Sequence, residues 1–262
     1  MLLIVTRPLA QALPWVAALR ALGQAAQALP LIDIAPPSDP VPVRAAWQQL
    51  ASQALVMFVS ANAVEHFFQA RPAGLAWPAE VLAGSTGPGT TRALRVAGVP
   101  EAALVQPAAD SPRLDSEALW AQLQEHDWLG RTALIVRGED GRDWLADTLR
   151  ARGAQVGFVA AYRRLRPQLD GQQETLLATA LRAPAEYLWL FSSSEAVANL
   201  RSLRPQADWS ASLALASHPR IAEAARGAGF ASVAVVPPTP QAVLQWLLQA
   251  RAYNPDRSDR DA

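Results

Sequence analysis

Phe58-Val59-Ser60-Ala61-Asn62-Ala63-Val64 runs from an apolar strand end straight into a helix start, and it returns later as Phe191-Ser192-Ser193-Ser194-Glu195-Ala196-Val197. Two further pieces repeat in the same order. Upstream, Leu3-Ile4-Val5-Thr6-Arg7 with its helix pattern and Gly23 matches Leu134-Ile135-Val136-Arg137 with its own helix pattern and Gly153. Downstream, Thr86-Gly87-Pro88 ahead of Gly98 matches Ser217-His218-Pro219 ahead of Gly229. The offset is about 131 residues, far longer than a solenoid unit, so the chain is two domain-sized copies of one pattern. Two similar lobes are expected to leave a cleft, the usual seat of a small ligand.

Each matched piece is a strand followed by a helix. Leu2 to Val5 reads as a short buried strand, and Pro8 to Leu22 as a helix closed by Gly23. Further strands are expected over Ala54 to Val59, Glu80 to Gly84, Thr132 to Val136, Tyr187 to Phe191, Ser212 to Ala216 and Ser232 to Val236. Each leads into a helix: from Asn62, from Gly89, and over Arg142 to Arg152, Glu195 to Leu203, Pro219 to Gly227 and Pro240 to Tyr253. This alternation predicts an α/β fold with parallel sheets covered by helices on both faces. A second strand in each copy is expected over Ala28 to Ile34 and over Gly157 to Tyr162. Each is followed by an aperiodic stretch rich in turn formers, Ala35 to Val43 and Tyr162 to Gln173, read as a pair of connectors. The run from Asn254 is charged and aromatic-free, and residues 256–262 are expected to be a disordered tail.

Composition removes several kinds of chemistry. The 262 residues include no cysteine, so disulfides and thiolates are excluded. All of the 23 basic residues are arginine. Without lysine there is no Schiff base and no phosphate-loop lysine. The 3 histidines, His66, His126 and His218, have no zinc-site spacing, so no metal is expected. With 23 acidic residues the formal charge is balanced, and no basic stripe invites nucleic acid. No apolar run is long enough to span a membrane, and the N-terminus has no basic region or cleavage site. A cytoplasmic monomer acting on a small molecule is the resulting expectation.

In open α/β sheets, ligands bind beyond the carboxyl ends of the strands, where helix N-termini offer unpaired amides. That rule selects Thr6-Arg7-Pro8, Ser60-Ala61-Asn62, Thr86-Gly87 with Thr90, Arg137-Gly138-Glu139, Ser192-Ser193-Ser194 and Ser217-His218. Small hydroxyl residues and glycines let an anionic ligand approach the backbone and receive its hydrogen bonds. Arg7 and Arg137 at strand ends are candidates to clamp carboxylates. The plain alternative for each serine or threonine is a helix cap. Tyr162 stands where the second strand of its copy enters the connector, and is expected to overhang the cleft.

The loops and their order resemble the uroporphyrinogen-III synthase family over nearly the whole chain. The likeness rests on Val5-Thr6-Arg7-Pro8, Phe58 to Val64, Gly87-Pro88-Gly89-Thr90, Leu134 to Glu139, Ala161-Tyr162-Arg163-Arg164, Phe191 to Ser194 and Pro238-Thr239-Pro240-Gln241-Ala242. It implies two flavodoxin-like domains joined by a two-stranded linker, one made of residues 1–36 plus 168–255 and the other of 37–167. The pseudo-twofold repeat would then be swapped, each copy's first βα unit completing the other's domain. The implied activity is cofactor-free cyclisation of hydroxymethylbilane with loss of water and inversion of ring D. Tyr162 matches the tyrosine proposed in that family to assist departure of the hydroxyl, and Ser60, Thr90 and Ser193 match positions at its cleft. One departure is His218-Pro219-Arg220-Ile221, where the family often has a glycine and a pair of threonines. The competing reading is a two-lobed protein that binds a polyanion without altering it.

Overall fold

The computed structural model describes residues 1–111, 113, 115–139 and 143–253; the expected disordered tail lies outside them. In chain order the elements begin β1 (Leu2–Val5), α1 (Leu9–Ala21), β2 (Ala26–Ala28), β3 (Asp33–Ala35), α2 (Val41–Gln48), β4 (Leu55–Phe58) and α3 (Ala61–Gln69). There follow β5 (Leu82–Ser85), α4 (Pro88–Val96), β6 (Leu104–Val105), α5 (Ser116–Leu123), β7 (Thr132–Gly138), α6 (Trp144–Ala151) and β8 (Gln155–Leu165). The last are α7 (Gly171–Arg182), β9 (Tyr187–Phe191), α8 (Ser194–Leu203), β10 (Leu213–Ala216), α9 (Pro219–Gly227), β11 (Ser232–Val235) and α10 (Pro240–Tyr253).

The chain folds as two compact units. One is Met1–Asp33 with the chain from Leu165 on; the other is Ile34–Arg164. The first holds a sheet in the order β11-β10-β9-β1-β2, the second a sheet in the order β3-β8-β7-β4-β5-β6. The pairings from β1 to β2, β9 and onward, and from β7 to β4 and β8, are parallel. Strands β1 and β2, from the first copy of the repeat, thus join β9, β10 and β11 from the second. In return β7 and β8 of the second copy join β4, β5 and β6 of the first. The chain crosses between units inside β3 and inside β8, which are neighbours in one sheet.

Central strands are uniformly apolar because helices cover both faces: β4 (Leu-Val-Met-Phe) and β9 (Tyr-Leu-Trp-Leu-Phe) are buried at every position. The second unit has a core on each side of its sheet. One gathers Trp47, Phe58, Phe67, Trp77 and Tyr162, the other Leu119, Trp128, Ile135, Leu145 and Leu149. In the first unit Leu3, Val5, Leu19, Leu188, Leu190 and Leu247 share a core, and Trp189 packs edge-on against Trp209. Each such side chain contributes about 1.5–3 kcal/mol on burial. The repeated glycines close helices: Gly23 and Gly153 sit at φ +78 and +87. In both the amide two residues past the helix's capping residue bonds back to the same carbonyl position, Gln24 to Leu19 and Ala154 to Leu149.

Four expectations need correction. The strand expected over Ala28 to Ile34 is two short strands in different sheets, separated by Leu29, Leu31 and Ile32, all buried. Pro30 lacks the amide a continuous ladder needs. The strand expected over Gly157 to Tyr162 runs from Gln155 to Leu165, so the start of one connector is strand. The rest of that connector ends at the capping box of Asp170 and Gln173 that opens α7. Helix α2 starts inside the other connector, with proline in its first turn.

Candidate functional site

At the carboxyl edge of the second unit's sheet, β4 ends at Phe58 and Ser60 caps α3. The Ser60 hydroxyl accepts from the Ala63 amide at 3.2 Å and donates to the Tyr162 phenol oxygen at 3.2 Å. Arg164 Nη2 also donates to that oxygen, at 3.4 Å. Ala61 opens the helix, and Asn62 is buried behind it. The His66 ring, one helical turn and a half beyond Ser60, stacks against Tyr162 with centroids 6.1 Å apart. Burial holds the His66 pKa below its ordinary value of 6.5, with Glu65 opposing. Gly138, the last residue of β7, lies under the phenol: a Cβ there would come within 3.2 Å of Tyr162 Cζ.

Tyr162 therefore differs from its expected position. It does not overhang an opening but is 1% exposed and belongs to the core of its unit. The reason is strand β8, which continues past it and turns its ring inward onto Gly138. Beside it, Gly87 is the cap of α4 and Thr86 is half-buried. Thr90 is buried, and its neighbour Thr91 bonds the Ser85 hydroxyl and Gln106, each at 2.6 Å. Arg137 is occupied: its guanidinium pairs with Asp143 at 2.5 Å and lies over the Phe158 ring at 4.1 Å.

In the first unit the carboxyl edge is built from β1, β9 and β10. Thr6 is buried, its hydroxyl donating to the Leu190 carbonyl at 2.7 Å. Arg7 follows and stacks on the Trp15 ring at 4.5 Å. Ser192 and Ser217 are half-buried at the ends of β9 and β10, and with Arg7 they line a small recess open to solvent. Ser193 caps α8, accepting from the Glu195 amide at 3.1 Å. The Ser194 hydroxyl is buried without a partner among the described residues. His218 caps α9 through Nδ1, which accepts from the Arg220 amide at 3.1 Å, and its side chain is exposed.

Ser60, Gly138 and Tyr162 thus come together in one unit, and Arg7, Ser192 and Ser217 in the other. His218 is engaged by its own helix and Arg137 by an acid. Sequence reading missed Trp15, His66 and Arg164. Trp15 sits two helical turns past Arg7, and Arg164 is on the same strand face as Tyr162, so periodicity alone could have flagged both. Among the described residues no group of three histidine or acidic side chains could hold a metal ion. No helix among them is long and apolar enough to cross a membrane.

Comparison with known proteins agrees over most of the chain. The family model described as "Uroporphyrinogen-III synthase HemD" matches residues 14–245. Uroporphyrinogen-III synthase of Salmonella typhimurium is 32% identical over 207 residues, 79% of this chain and 81% of that protein. The Escherichia coli protein of the same name has the same identity and coverage. Among solved structures, a mutant uroporphyrinogen III synthase from Thermus thermophilus aligns with a TM-score of 0.59 at 21% identity, covering 97% of this chain and 100% of that one. The uroporphyrinogen-III synthetase of Helicobacter pylori gives 0.58 at 14%, covering 95% and 99%. At those identities the structural likeness speaks to the fold.

Proposed function

Because the chain belongs to the uroporphyrinogen-III synthase family, cyclising lyases of haem biosynthesis that act on hydroxymethylbilane, we propose how its own residues serve that reaction. Both units are flavodoxin-like domains. The strand order β2-β1-β9-β10-β11 has the doubly wound pattern, and β8-β7-β4-β5-β6 has it too once the swapped first βα unit is counted first. The substrate is a flexible polycarboxylate, and no cofactor takes part. Within one unit the helix starts headed by Ser60 and Gly87, with Ala61, Asn62, Thr86 and Thr90, and within the other those headed by Ser193 and His218, with Ser192, Ser194 and Ser217, each offer main-chain amides and hydroxyls suited to a carboxylate. Holding fixes the chain in the conformation that closes with ring D inverted, rather than the one that closes without inversion.

The observation that carries the catalytic part is the hydrogen bond between Ser60 and Tyr162. Tyr162 is buried, so it acts through Ser60, which is half-buried at the start of α3. For the step, the Ser60 O–H turns from the phenol oxygen to the hydroxyl leaving ring A and gives it the proton, and the carbon–oxygen bond breaks with water as the product. The phenol O–H turns in exchange to the Ser60 oxygen and replaces that proton, and the negative charge left on the phenol oxygen faces the Arg164 guanidinium. The cationic azafulvene left on the substrate is then attacked by ring D.

Two measurements test this. The protein is incubated with freshly made hydroxymethylbilane in the presence of chelator, and the oxidised porphyrins are chromatographed. Isomer III is the expected product; isomer I alone overturns the functional reading. Tyr162→Phe and Ser60→Ala are each expected to lower kcat by about 10²-fold or more, the usual range for losing a general acid, with a smaller change in KM. Wild-type turnover by Tyr162→Phe sinks the relay.

A further inference from the structure

The recess of the first unit differs in its electrostatics from the rest of the carboxyl edges. Its lining contains one cation, Arg7, and no acidic side chain. Neither aspartate nor glutamate occurs anywhere in the chain before Asp33. Arg7 is half-buried, and no hydrogen bond or ion pair engages its guanidinium among the described residues; its one recorded partner is the face of Trp15. Burial lowers its pKa from the ordinary arginine value, so the fold holds a charge it does not neutralise. An arginine stays protonated under these conditions, and a partly desolvated cation without a partner is unfavourable until an anion arrives.

The second unit provides an internal contrast. Arg137, one position earlier at the equivalent strand end where the first unit has Thr6, also lies over an aromatic ring, but Asp143 already neutralises it. The fold had the means to satisfy such an arginine and did not use it for Arg7. Around Arg7 the remaining walls are apolar, from Val5, Leu190, Leu215 and Val236, with the Ser192 and Ser217 hydroxyls at the strand ends.

We propose that this recess is a carboxylate subsite: Arg7 receives the terminal carboxylate of one side arm of the substrate, Ser192 and Ser217 add hydroxyl contacts, and the arm's methylenes lie against the aliphatic wall. Trp15 fixes the guanidinium plane so that its fork meets the carboxylate with two N–H groups. The inference rests on the activity given above and adds to it a defined anchor, one arm held by charge where the others are held by amides.

The test uses the intact protein and hydroxymethylbilanes in which single acidic arms are replaced by methyl groups. Wild-type protein is expected to lose about ten- to hundredfold in kcat/KM when one particular arm is removed. Arg7→Gln is expected to show a loss of the same size on the complete substrate and little further loss when that arm is removed. Arg95→Gln, an exposed arginine of α4 already paired with Glu101, is expected to change kcat/KM by less than about twofold. If Arg7→Gln, folded by circular dichroism, matches wild type on the complete substrate, or is hurt by the loss of that arm as much as wild type is, the subsite is overturned. Should Arg7→Gln fail to fold, Arg7→Lys and the arm series on wild type decide, and an arm series without one outstanding member overturns it. Competition by inorganic phosphate that Arg7→Gln abolishes, with no arm outstanding, assigns the recess to a free anion and equally overturns it. Failure of the functional reading looks different, since wild-type protein would then form no isomer III at all.

Discussion

Gly138→Ala presses a single methyl against the phenol ring that the proposed relay depends on. The new Cβ would lie 3.2 Å from Tyr162 Cζ, 3.3 Å from Cε2 and 3.5 Å from the hydroxyl oxygen, so something must shift by a few tenths of an ångström. The ring has little freedom to do so. It is 1% exposed, stacked on His66, and held at its oxygen by Ser60 and Arg164. Overpacking of this kind costs about 1–3 kcal/mol, which in a chain of this size lowers the melting temperature by roughly 2–4 °C for each kcal/mol. The effect on turnover is expected to exceed the effect on stability, because a shifted phenol lengthens its 3.2 Å bond to Ser60. A double-mutant cycle isolates the contact. In a Tyr162→Leu background the ring is gone, and Gly138→Ala is expected to be close to neutral in urea unfolding. Additive free energies, within about 0.5 kcal/mol, would refute the claim that the methyl acts through the ring.

Other consequences are separable from that contact. His66 is held below its ordinary pKa by burial, so the folded state prefers the neutral imidazole and the unfolded state binds the proton more readily. The stability this gives is complete above pH 6.5 and is lost as pH falls through the lower folded value; urea midpoints between pH 7.5 and 5.5 should fall less for His66→Gln than for wild type. Asp170→Ala removes the side-chain half of the capping box that opens α7, in which the Asp170 carboxylate accepts from the Gln173 amide at 2.8 Å, and leaves the Asp170 amide free to donate to the Gln173 side chain. It is expected to cost about 0.5–2 kcal/mol in urea unfolding, with isomer III selectivity intact. An unchanged midpoint would mean that α7 is held by packing of Leu177 and Ala180 alone.

The fold was most legible where one physical signal acted alone. Strands β1 and β9 are short apolar runs buried on both faces, and their bounds were read as they stand. Helices α9 and α10 open with a proline, which needs no amide partner in a first turn, and their starts were equally plain. Reading failed where signals competed. Pro40 and Pro42 look like a connector, yet proline is equally at home at the start of α2. Arg163 and Arg164 look like the end of a strand, but they extend β8 at a place where one side of the ladder is solvated. The Asp170 capping box was present in the sequence, hidden because the helix behind it buries only Leu177 and Ala180. For the site, residue type and strand end were enough to select Arg7, Ser60, Ser192 and Ser217, since the parallel sheet forces those positions to its carboxyl edge. Pairing was not legible. Nothing in the spacing distinguishes an arginine that meets an aspartate, as Arg137 does, from one left without a counter-ion, as Arg7 is.

The two copies kept what the fold demands and diverged where chemistry is done. Strand register makes the comparison residue by residue: Val5 pairs with Ala28 in one sheet, and Val136 with Val159 in the other. Two residues beyond the valines lie Arg7 and Gly138; three beyond their partners lie Leu31 and Tyr162. A long side chain on one strand and a purely apolar one on its neighbour has become, in the other copy, no side chain beside a phenol. Gly138 offers no Cβ, which lets the Tyr162 ring lie directly over it; a Cβ there would stand 3.2 Å from Cζ. The other copy has Leu31 at the place of Tyr162, and its strand end carries Arg7. The serine caps follow the same division. Ser193 reaches only its own helix amide, while Ser60 reaches its helix and the phenol. On the proposed reading, the edge with Arg7 is the one suited to an anion and the edge with Ser60 and Tyr162 the one suited to a proton transfer.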